Sequence, residues 1–577
     1  LQAQCASSIY RQMMCQSGSR SCLAEAMNSA MHKEPERSAA KMTLSELVAG
    51  FVPVSIANKL DSELLVTGIQ LDSRLVVSGD VFVAVFGRNL DARDFISIAI
   101  SAGAAAVLAE SGGEWVGVRD VGGVPVIAVD SLQSKISAIA GRFYAEPSTQ
   151  AGVIGITGTN GKTSCAAFMA QVFRDLGLDS ATIGTLGYGR PDALSATALT
   201  TPDAVFTQRA LFELVSTGVD PIIMEVSSVG LDQRRVSGVQ FDTAVFTNLT
   251  RDHLDYHGTM EAYGASKKKL FTMPRLKRAV INLDDAYGIS LINDIASRVE
   301  IVTYSQSRAA ASVRAERVAM DSQGIAMHLV TPIGSGDVRV GLLGGFNLSN
   351  LLAVVATVVS YCSAEAHYQD ASAFQGKLIF SQLAAALTRL KPVPGRMQIV
   401  AAASDTSDVS VVVDYAHTPD GLRSALLGLR EHFDGELTCV FGAGGNRDAG
   451  KRPLMGEVAE HHADHVILTD DNPRAEEGGA IIDQILSGFV GPDAVVRMRD
   501  RAEAIAAVIA AAKPGAVILI AGKGHENFQE INGERQPFSD VEHARAAIRE
   551  HLSPMCPGCE GQIAAVLRFS ISSQFPE

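Results

Sequence analysis

The stretch Gly155-Ile-Thr-Gly-Thr-Asn-Gly-Lys-Thr-Ser164 constrains this 577-residue chain more than any other feature. The apolar pair Val153-Ile154 leads into it, and an apolar helical pattern leaves it from Cys165. A glycine-rich turn between a strand and a helix start aims several backbone N–H groups at one point. The positive end of the helix dipole adds to that field. Lys162 can then reach β- and γ-phosphates, and the Thr163 hydroxyl can ligate Mg2+. The strict G-x-x-x-x-G-K-[ST] pattern is missed, because Ile156 stands where its first glycine belongs. Gly155 and Gly158 supply the flexibility instead. The expectation is a nucleotide loop of a particular sort, set against an ordinary glycine-rich turn.

A chain of this length is too long for one core and calls for three or four domains. Its apolar share of 47% and charged share of 19% are those of a globular protein. A net charge of −14 argues against a nucleic-acid partner, which needs a basic surface, but not against an anionic small molecule. Eight cysteines occur. Cys165, Cys362 and Cys439 sit singly in apolar segments and read as small core residues. Cys5, Cys15 and Cys22 fall in a Met/Ser-rich leader, and Cys556-Pro-Gly-Cys559 forms a C-x-x-C in the tail. With no second C-x-x-C and no clustered His, incidental cysteines are favoured over a redox or zinc site. This usage suits a reducing cytosol, and a cytoplasmic location is expected. The first 41 residues lack the basic–apolar–small order of a signal peptide and are expected to be disordered or an over-extended start. Val340 to Ala364 carries no charge, but its apolar part, Leu351 to Cys362, is too short to span a bilayer, so a buried helix is expected.

Three α/β domains are expected between leader and tail. Residues 42–149 mix short strands and helices, with Asp80 to Phe86 and Val126 to Val129 as strands and Ile96 to Leu108 as an Ala-rich helix. Residues 150–343 alternate strands and helices, and the strands Pro221 to Glu225 and Asp242 to Asn248 end in polar residues. That is the signature of a parallel sheet, whose ligands gather at the carboxyl ends of its strands. Residues 344–552 repeat the pattern as a second, Rossmann-like domain, with strands at Val411 to Asp414, Leu437 to Phe441, His465 to Thr469 and Ala516 to Ile520. Residues 553–577 form a tail.

The chemistry-bearing residues sit at these strand ends. Glu225 is placed to hold Mg2+ beside the phosphate loop. Asp252-His253-Leu-Asp255-Tyr-His257 packs two Asp and two His just past another strand, a density suited to metal or phosphate work. Lys267-Lys268-Lys269 reads as a solvated basic face, unless its helix packs on the sheet and turns one lysine inward. Arg447, Arg474 and Glu526 follow three strands of the last domain. Two guanidinium forks and one carboxylate make a receptor for an amino-acid zwitterion.

Taken together these residues resemble the Mur ligases, ATP-dependent amide-bond-forming enzymes of bacterial cell-wall synthesis, from about Thr43 to Leu552. The resemblance rests on Leu71-Asp-Ser-Arg74 with Gly79-Asp80, on Thr157 to Thr163, and on Leu199-Thr-Thr-Pro-Asp203 and Glu225-Val-Ser-Ser228. It continues with Asp252 to Gly258, Phe346-Asn-Leu-Ser-Asn350, Pro394-Gly-Arg396, Asp414-Tyr-Ala-His-Thr-Pro419, Asp471-Asn-Pro-Arg474 and Gly522-Lys-Gly-His-Glu526. It implies that Gly158, Thr159, Asn160, Gly161, Lys162, Thr163 and Ser164 hold ATP phosphates, with Asn347, Arg396 and Asp414 on the rest of the nucleotide. Lys162, Glu225, His253 and a carbamylated Lys267 become the catalytic group. Thr163, Glu225, His253 and Lys267 become the Mg2+ ligands. Ser73, Thr200, Thr201, Ser227, Gln233 and Arg235 would contact a UDP-muramoyl dipeptide. Arg447, Asp471, Asn472, Pro473, Arg474, Gly522 and Glu526 would bind the incoming amino acid.

The Asp-Asn-Pro-Arg pattern goes with meso-2,6-diaminopimelate rather than L-lysine, since Arg474 can grip a distal carboxylate that lysine lacks. The implied activity joins that amino acid to the D-glutamate γ-carboxylate of UDP-N-acetylmuramoyl-L-alanyl-D-glutamate through an acyl phosphate. The implied partners are small molecules alone, with no membrane insertion, a monomer, and domain closure over the nucleotide. Competing readings are an L-lysine-adding sibling, a folylpolyglutamate synthetase-like ligase, and a non-catalytic nucleotide-binding regulator. Two positions depart from the family pattern: Val229 stands where His is common, and Asn446 where Asp is common.

Overall fold

Apolar runs closed by polar or glycine-rich turns become parallel strands throughout. The computed structural model describes residues 41–87, 90–295, 297–363, 378–400 and 409–552. The leader to residue 40 and the tail from 553 lie outside these, and with them Cys5, Cys15, Cys22, Cys556 and Cys559. The chain divides into two compact units, one ending at Asp130 and the other starting at Ser131.

In the first unit β1 (Met42–Thr43) and β2 (Leu65–Val66) form an antiparallel pair. A second sheet has the order β3 (Gly68–Gln70), β4 (Asp80–Ala84), β5 (Ala106–Glu110), β7 (Val124–Val129) and β6 (Val118–Val121). All its pairings are parallel except β6 with β7. Here the expected helix from Ile96 to Leu108 is corrected. The helix stops at Ser101, Gly103 takes a left-handed φ of +104°, and Ala106 to Leu108 begin β5. Alanine suits a helix, but burial between β4 and β7 overrides that weak preference.

The second unit opens with α1 (Leu132–Phe143), which the sequence reading placed before the boundary at 149. Its Ser137 Oγ accepts the Gly238 N–H at 2.9 Å, tying it to the second unit. The central sheet, in chain order, comprises β8 (Val153–Thr157), β9 (Ala181–Gly184), β10 (Gly187–Gly189), β11 (Ile222–Glu225), β12 (Thr243–Phe246), β13 (Arg278–Asn282), β14 (Glu300–Ser305), β15 (Val313–Asp321), β16 (Gly324–Thr331) and β17 (Gly334–Val340). Its spatial order is β10-β9-β11-β8-β12-β13-β14-β15-β16-β17. The expected parallel pairing holds from β9 to β15, whereas β16 and β17 return as antiparallel hairpins. Gly324 and Gly334 sit at those turns with φ of +120° and +134°.

β8 is buried along its whole length because helices cover both sheet faces. Three of these helices matter below: α2 (Lys162–Asp175), α3 (Met260–Phe271) and α4 (Gly345–Ser363). At 19 residues α4 is long and apolar enough to cross a membrane by those two criteria alone. Its Leu348, Leu351 and Val355 instead pack with Ile154, Ile156 and Val280 of the central sheet. The buried helix expected there is therefore a core element of the central layer, although the sequence boundary at 344 assigned it to the next domain.

The C-terminal sheet has the order β18 (Gln398–Ile399), β19 (Ser410–Asp414), β23 (Val517–Ala521), β20 (Leu437–Phe441), β21 (His465–Leu468) and β22 (Val496–Arg497), with only β18 antiparallel. Period-two alternation feeds two cores. Val412, Leu519 and Cys439 pack with helices α5 (Pro419–Arg430), α6 (Lys451–His462) and α7 (Gly478–Leu486). Val411, Val413 and Ile520 pack with α8 (Arg501–Ala511) and α9 (Asp540–Leu552). This three-layer Rossmann-like arrangement sends the loops after β20, β21 and β23 to one edge. A hairpin of β24 (Phe528–Ile531) and β25 (Glu534–Pro537) follows β23.

Arg501 and Asp540 fasten α8 to the start of α9 with both side chains at 0% exposure and bonds of 2.7 and 2.8 Å. Removing one partner strands a buried charge, at a cost of about 3–5 kcal/mol, whereas an apolar pair of similar volume is close to neutral. Asp540→Ala is therefore expected to lower the urea midpoint sharply, and the double change Arg501→Met with Asp540→Leu to lower it far less.

Candidate active site

The loop after β8 is held by its neighbours before any ligand arrives. A Cβ on Gly158 would run into Thr247, and one on Gly161 (φ +87°) into Asn350. Both positions therefore exclude side chains. Thr159 N donates to the Asn248 carbonyl at 2.9 Å, and Thr247 Oγ1 to the Asn160 carbonyl at 2.6 Å. Lys162 Nζ folds back onto the carbonyls of Gly158 (2.8 Å) and Thr159 (2.9 Å). Burial pushes its pKa down, opposed by Glu225 and Asp252.

Glu225 ends β11 at 2% exposure. Its Oε2 accepts from Thr163 Oγ1 at 2.8 Å and Thr185 Oγ1 at 3.1 Å, and its Oε1 from the Thr185 N–H at 2.8 Å. Thr185 escaped the sequence reading. The signal available was its place just past the carboxyl end of β9, the same address as the residues that were found. Thr200 Oγ1 lies 3.1 Å from Thr185 Oγ1, Thr201 donates to the Glu225 carbonyl at 2.9 Å, and Ser227 N donates to Thr201 at 2.8 Å. Arg235 donates to the Thr201 carbonyl at 2.7 Å and to Gln233 at 2.6 Å. Thr200, Thr201, Ser227, Gln233 and Arg235 thus form one network continuous with Glu225. Ser73 lies in the first unit, in a turn capped by Asp72.

The lysine run resolves as a helical face. On α3, Tyr263, Lys267, Leu270 and Phe271 share the inward side, at the spacing of an amphipathic helix. Lys267 is 1% exposed, and its Nζ lies 4.3 Å from the Tyr263 ring centroid. Burial, with Lys162 nearby, lowers its pKa well below the ordinary lysine value. Lys268 and Lys269 turn outward to Asp294 and Asp232, each at 2.8 Å. His253, left-handed at φ +53°, is half-exposed beside Asp252 at 3.5 Å. Its pKa is lowered by partial burial first, with Lys162 and Lys267 adding to the shift. Among the described residues no group of three or more His, Cys, Asp and Glu forms a metal cluster. The oxygen donors Thr163 and Glu225 still suit a hard cation such as Mg2+.

The second half of the site comes from the C-terminal layers. A cavity of about 360 Å3 is lined by Thr159 to Ser164, Glu225 and His253 on one side and by Arg396, Asp414, Tyr415 and His417 on the other. Phe346, Ser349 and Asn350 of α4 also line it, while Asn347 does not. Asn347 is buried, donating to the Leu343 carbonyl at 2.8 Å and accepting from Asn350 at 3.0 Å. Arg396 lies over the Tyr415 ring at 4.3 Å, and Asn160 Nδ2 donates to Asp420 at 3.3 Å across the cleft. Asp414 accepts backbone N–H groups of Met397 and Ala416, yet burial still raises its pKa.

At the far end, Asp471, Asn472, Arg474, Gly522 and Glu526 come together. Asn472 Nδ2 donates to Glu526 at 2.8 Å. A Cβ on Gly522 would press on Asp471, and Arg474 Nη1 donates to the Gly445 carbonyl at 2.7 Å. Pro473 sets its carbonyl against Gly445, and Arg447 is exposed on the same loop. Buried Arg452, also missed by the sequence reading, bonds Glu476 at 2.8 Å and holds its pKa down to about 2. Glu476 in turn accepts the Asn446 N–H.

The sequence comparisons agree with this geometry. Residues 156–358 match the Mur ligase middle domain, and 395–524 match the Mur ligase glutamate ligase domain. A Coxiella burnetii UDP-N-acetylmuramoyl-L-alanyl-D-glutamate--2,6-diaminopimelate ligase is 45% identical over 493 residues, covering 85% of this chain and 97% of that one. The chain belongs to the Mur ligase family. A solved structure of a ligase with the same name shares 34% identity at a TM-score of 0.63, over 89% of this chain and all of that one. A Thermotoga maritima Mur ligase solved with ADP shares the fold at 19% identity and a TM-score of 0.56, over 84% of this chain and 97% of that one. The protein is thus a ligase of an ATP-dependent, amide-bond-forming family of peptidoglycan synthesis.

Two histidines give this Mur ligase a pH signature. Burial first, and Lys451 second, press His417 down to about 4, and burial then Arg396 does the same to His525. Unfolded imidazoles bind protons near pH 6.5, so between 6.5 and 4 the unfolded chain takes up more protons than the folded one. Stability is expected to be whole above pH 6.5 and to fall toward pH 4. Urea midpoints at pH 7.5 and 5 check this, and His525→Gln should narrow the difference between them.

Proposed function

We propose that this ligase joins meso-2,6-diaminopimelate to the D-glutamyl γ-carboxylate of UDP-N-acetylmuramoyl-L-alanyl-D-glutamate, in the cytoplasm and as a monomer. The observation that carries the reading is the cavity lined by the phosphate loop and Glu225 on one side and by Arg396 and Asp414 on the other. The choice of amino acid is supported by relatives named for it and by Arg474, whose guanidinium can grip a distal carboxylate.

The loop N–H groups and Lys162 hold the ATP phosphates, and Lys162 follows charge as it moves to the leaving ADP. An oxygen of the γ-carboxylate attacks the γ-phosphorus, the bond to ADP breaks, and an acyl phosphate forms. The neutral amine of the amino acid then attacks the acyl carbon. The amide bond forms, phosphate leaves, and the amine proton passes to a base. Thr163, Glu225, His253 and a carbamylated Lys267 would hold Mg2+, which supplies neutralising charge to the phosphates. The modification fits its setting. A buried amine of lowered pKa gives up its proton more readily, and its free amine adds CO2 and loses a proton to become a carbamate with a carboxylate-like end. Thr200, Thr201, Ser227, Gln233 and Arg235 orient the muramoyl dipeptide, and closure of the C-terminal layers excludes water.

Phosphate release from ATP plus the UDP dipeptide is expected with diaminopimelate and not with L-lysine or without an amino acid; release with lysine alone would overturn the reading. Arg474→Gln should raise the KM for diaminopimelate by about 10–100-fold, as loss of a charge-assisted pair predicts, and leave the KM for ATP near its original value. Lys267→Ala should abolish turnover, with partial recovery on adding a short carboxylic acid. A variant that a carboxylate cannot restore would argue against carbamylation.

A further inference from the structure

Lys523, in the Gly522-Lys-Gly-His-Glu526 turn, has a charged side chain to which the reading above gives no role. Its side chain is 0% exposed. Nζ donates to Asn472 Oδ1 at 2.9 Å and to Glu526 Oε2 at 3.2 Å, and lies 3.9 Å from Asp471 Oδ1. Two hydrogen bonds and one ion pair thus hold the ammonium, and all three partners belong to residues assigned to the amino acid. Asn472 Oδ1 also accepts the Glu530 N–H at 2.9 Å, which fixes the amide so that Nδ2 faces Glu526. Lys523 and Asn472 both occupy Glu526 Oε2, leaving Oε1 without a bond to either.

The charges around this turn are arranged in pairs. Asp471 and Glu526 share the Lys523 ammonium. Arg474 stands opposite with its Nε 3.9 Å from Glu530, and Glu530 is itself met by Arg535 at 3.6 Å. Behind them Arg501 is closed by Asp540. Lys523 offsets one of the two negative charges of Asp471 and Glu526, which eases the approach of an amino-acid terminus carrying a carboxylate beside its ammonium. Without it, two close carboxylates would carry an excess negative charge, which matches a terminus carrying an ammonium alone.

We propose that Lys523 is the positioning residue that sets this charge balance and thereby selects a zwitterionic distal end over a purely cationic one. The proposal rests on the diaminopimelate reading above. Lys523 touches Asp471, Asn472 and Glu526 and acts on the amino acid through them.

The test compares kcat/KM for meso-diaminopimelate and for L-lysine in the full-length enzyme and in Lys523→Gln, which keeps an N–H donor for Asn472 and removes only the charge. The diaminopimelate-to-lysine ratio is expected to fall by tenfold or more, through a higher KM for diaminopimelate, while the KM for ATP stays within about twofold. Lys523→Arg, which keeps the charge, should hold the ratio near that of the parent. If Lys523→Gln does not fold, Lys523→Met reads the same ratio without a polar group to bury. A folded neutral variant with an unchanged ratio would overturn the proposal. If the parent enzyme fails to use diaminopimelate at all, the functional reading itself is at fault, and the two failures are told apart in one experiment.

Discussion

The buried Glu225 carboxylate is the interaction on which the rest of the site depends. A carboxylate at 2% exposure is tolerated only when its oxygens are bonded, and here Thr163 and Thr185 bond them. Thr163 belongs to the first turn of α2, so Glu225 fixes the helix start whose N–H groups face the cavity. Thr185 belongs to the turn after β9, so the same carboxylate joins three strand ends. Its backbone carbonyl continues the chain of bonds through Thr201 to Arg235. One side chain therefore aligns the loop after β8 with the Thr201–Arg235 network, and its geometry precedes any ligand.

The C-terminal layers approach this centre through few but specific bonds. Asn160 Nδ2 reaches Asp420 across the cleft, and within the C-terminal layers Lys451 donates to the His417 carbonyl at 2.7 Å. His432 accepts the Gly344 N–H at 2.8 Å and meets the Asp321 carbonyl at 2.6 Å, which places its proton on Nδ1. That imidazole clamps the start of α4 to the β15–β16 turn and to the end of α5. Since α4 packs on the central sheet while its first turn is held by His432 and Glu431, it is the rigid link between the two halves of the cavity.

How much of this was legible depended on whether a residue's job is local. The phosphate loop, Glu225 and the Asp471–Arg474 turn follow strands, and strand ends are readable from apolar runs. The inward turn of Lys267 was readable as a possibility, because helical spacing allows one lysine of three to face the sheet. Thr185 stood at a readable address past β9, but its bond to Glu225, 40 residues away, was not readable, nor was that of Arg452 to Glu476, 24 residues away. The end of the Ile96 helix was lost because alanine and β-branched residues serve either state until neighbouring strands decide. Asn347 is a buried amide tied to the Leu343 carbonyl, and its neighbours Phe346, Ser349 and Asn350 line the cavity.

The two departures from the family pattern bear on chemistry unequally. Asn446 keeps what a side-chain acceptor does for the backbone there, since its Oδ1 takes the Ala475 N–H at 3.1 Å, and the charge it lacks is supplied next door by Glu476 under Arg452. Val229 is different. It stands half-buried on the short helix after Glu225 and brings no polar group there. The imidazole nearest that helix is instead His257, whose Nε2 lies 3.0 Å from Ser228 Oγ and whose ring sits 5.2 Å from that of Tyr263. Tyr263 separates His257 from Lys267, so an imidazole reaches the same turn from another segment without becoming a neighbour of Glu225. With Val229 in this position Thr163 still bonds Glu225 at 2.8 Å and Lys267 still lies 4.3 Å from the Tyr263 ring.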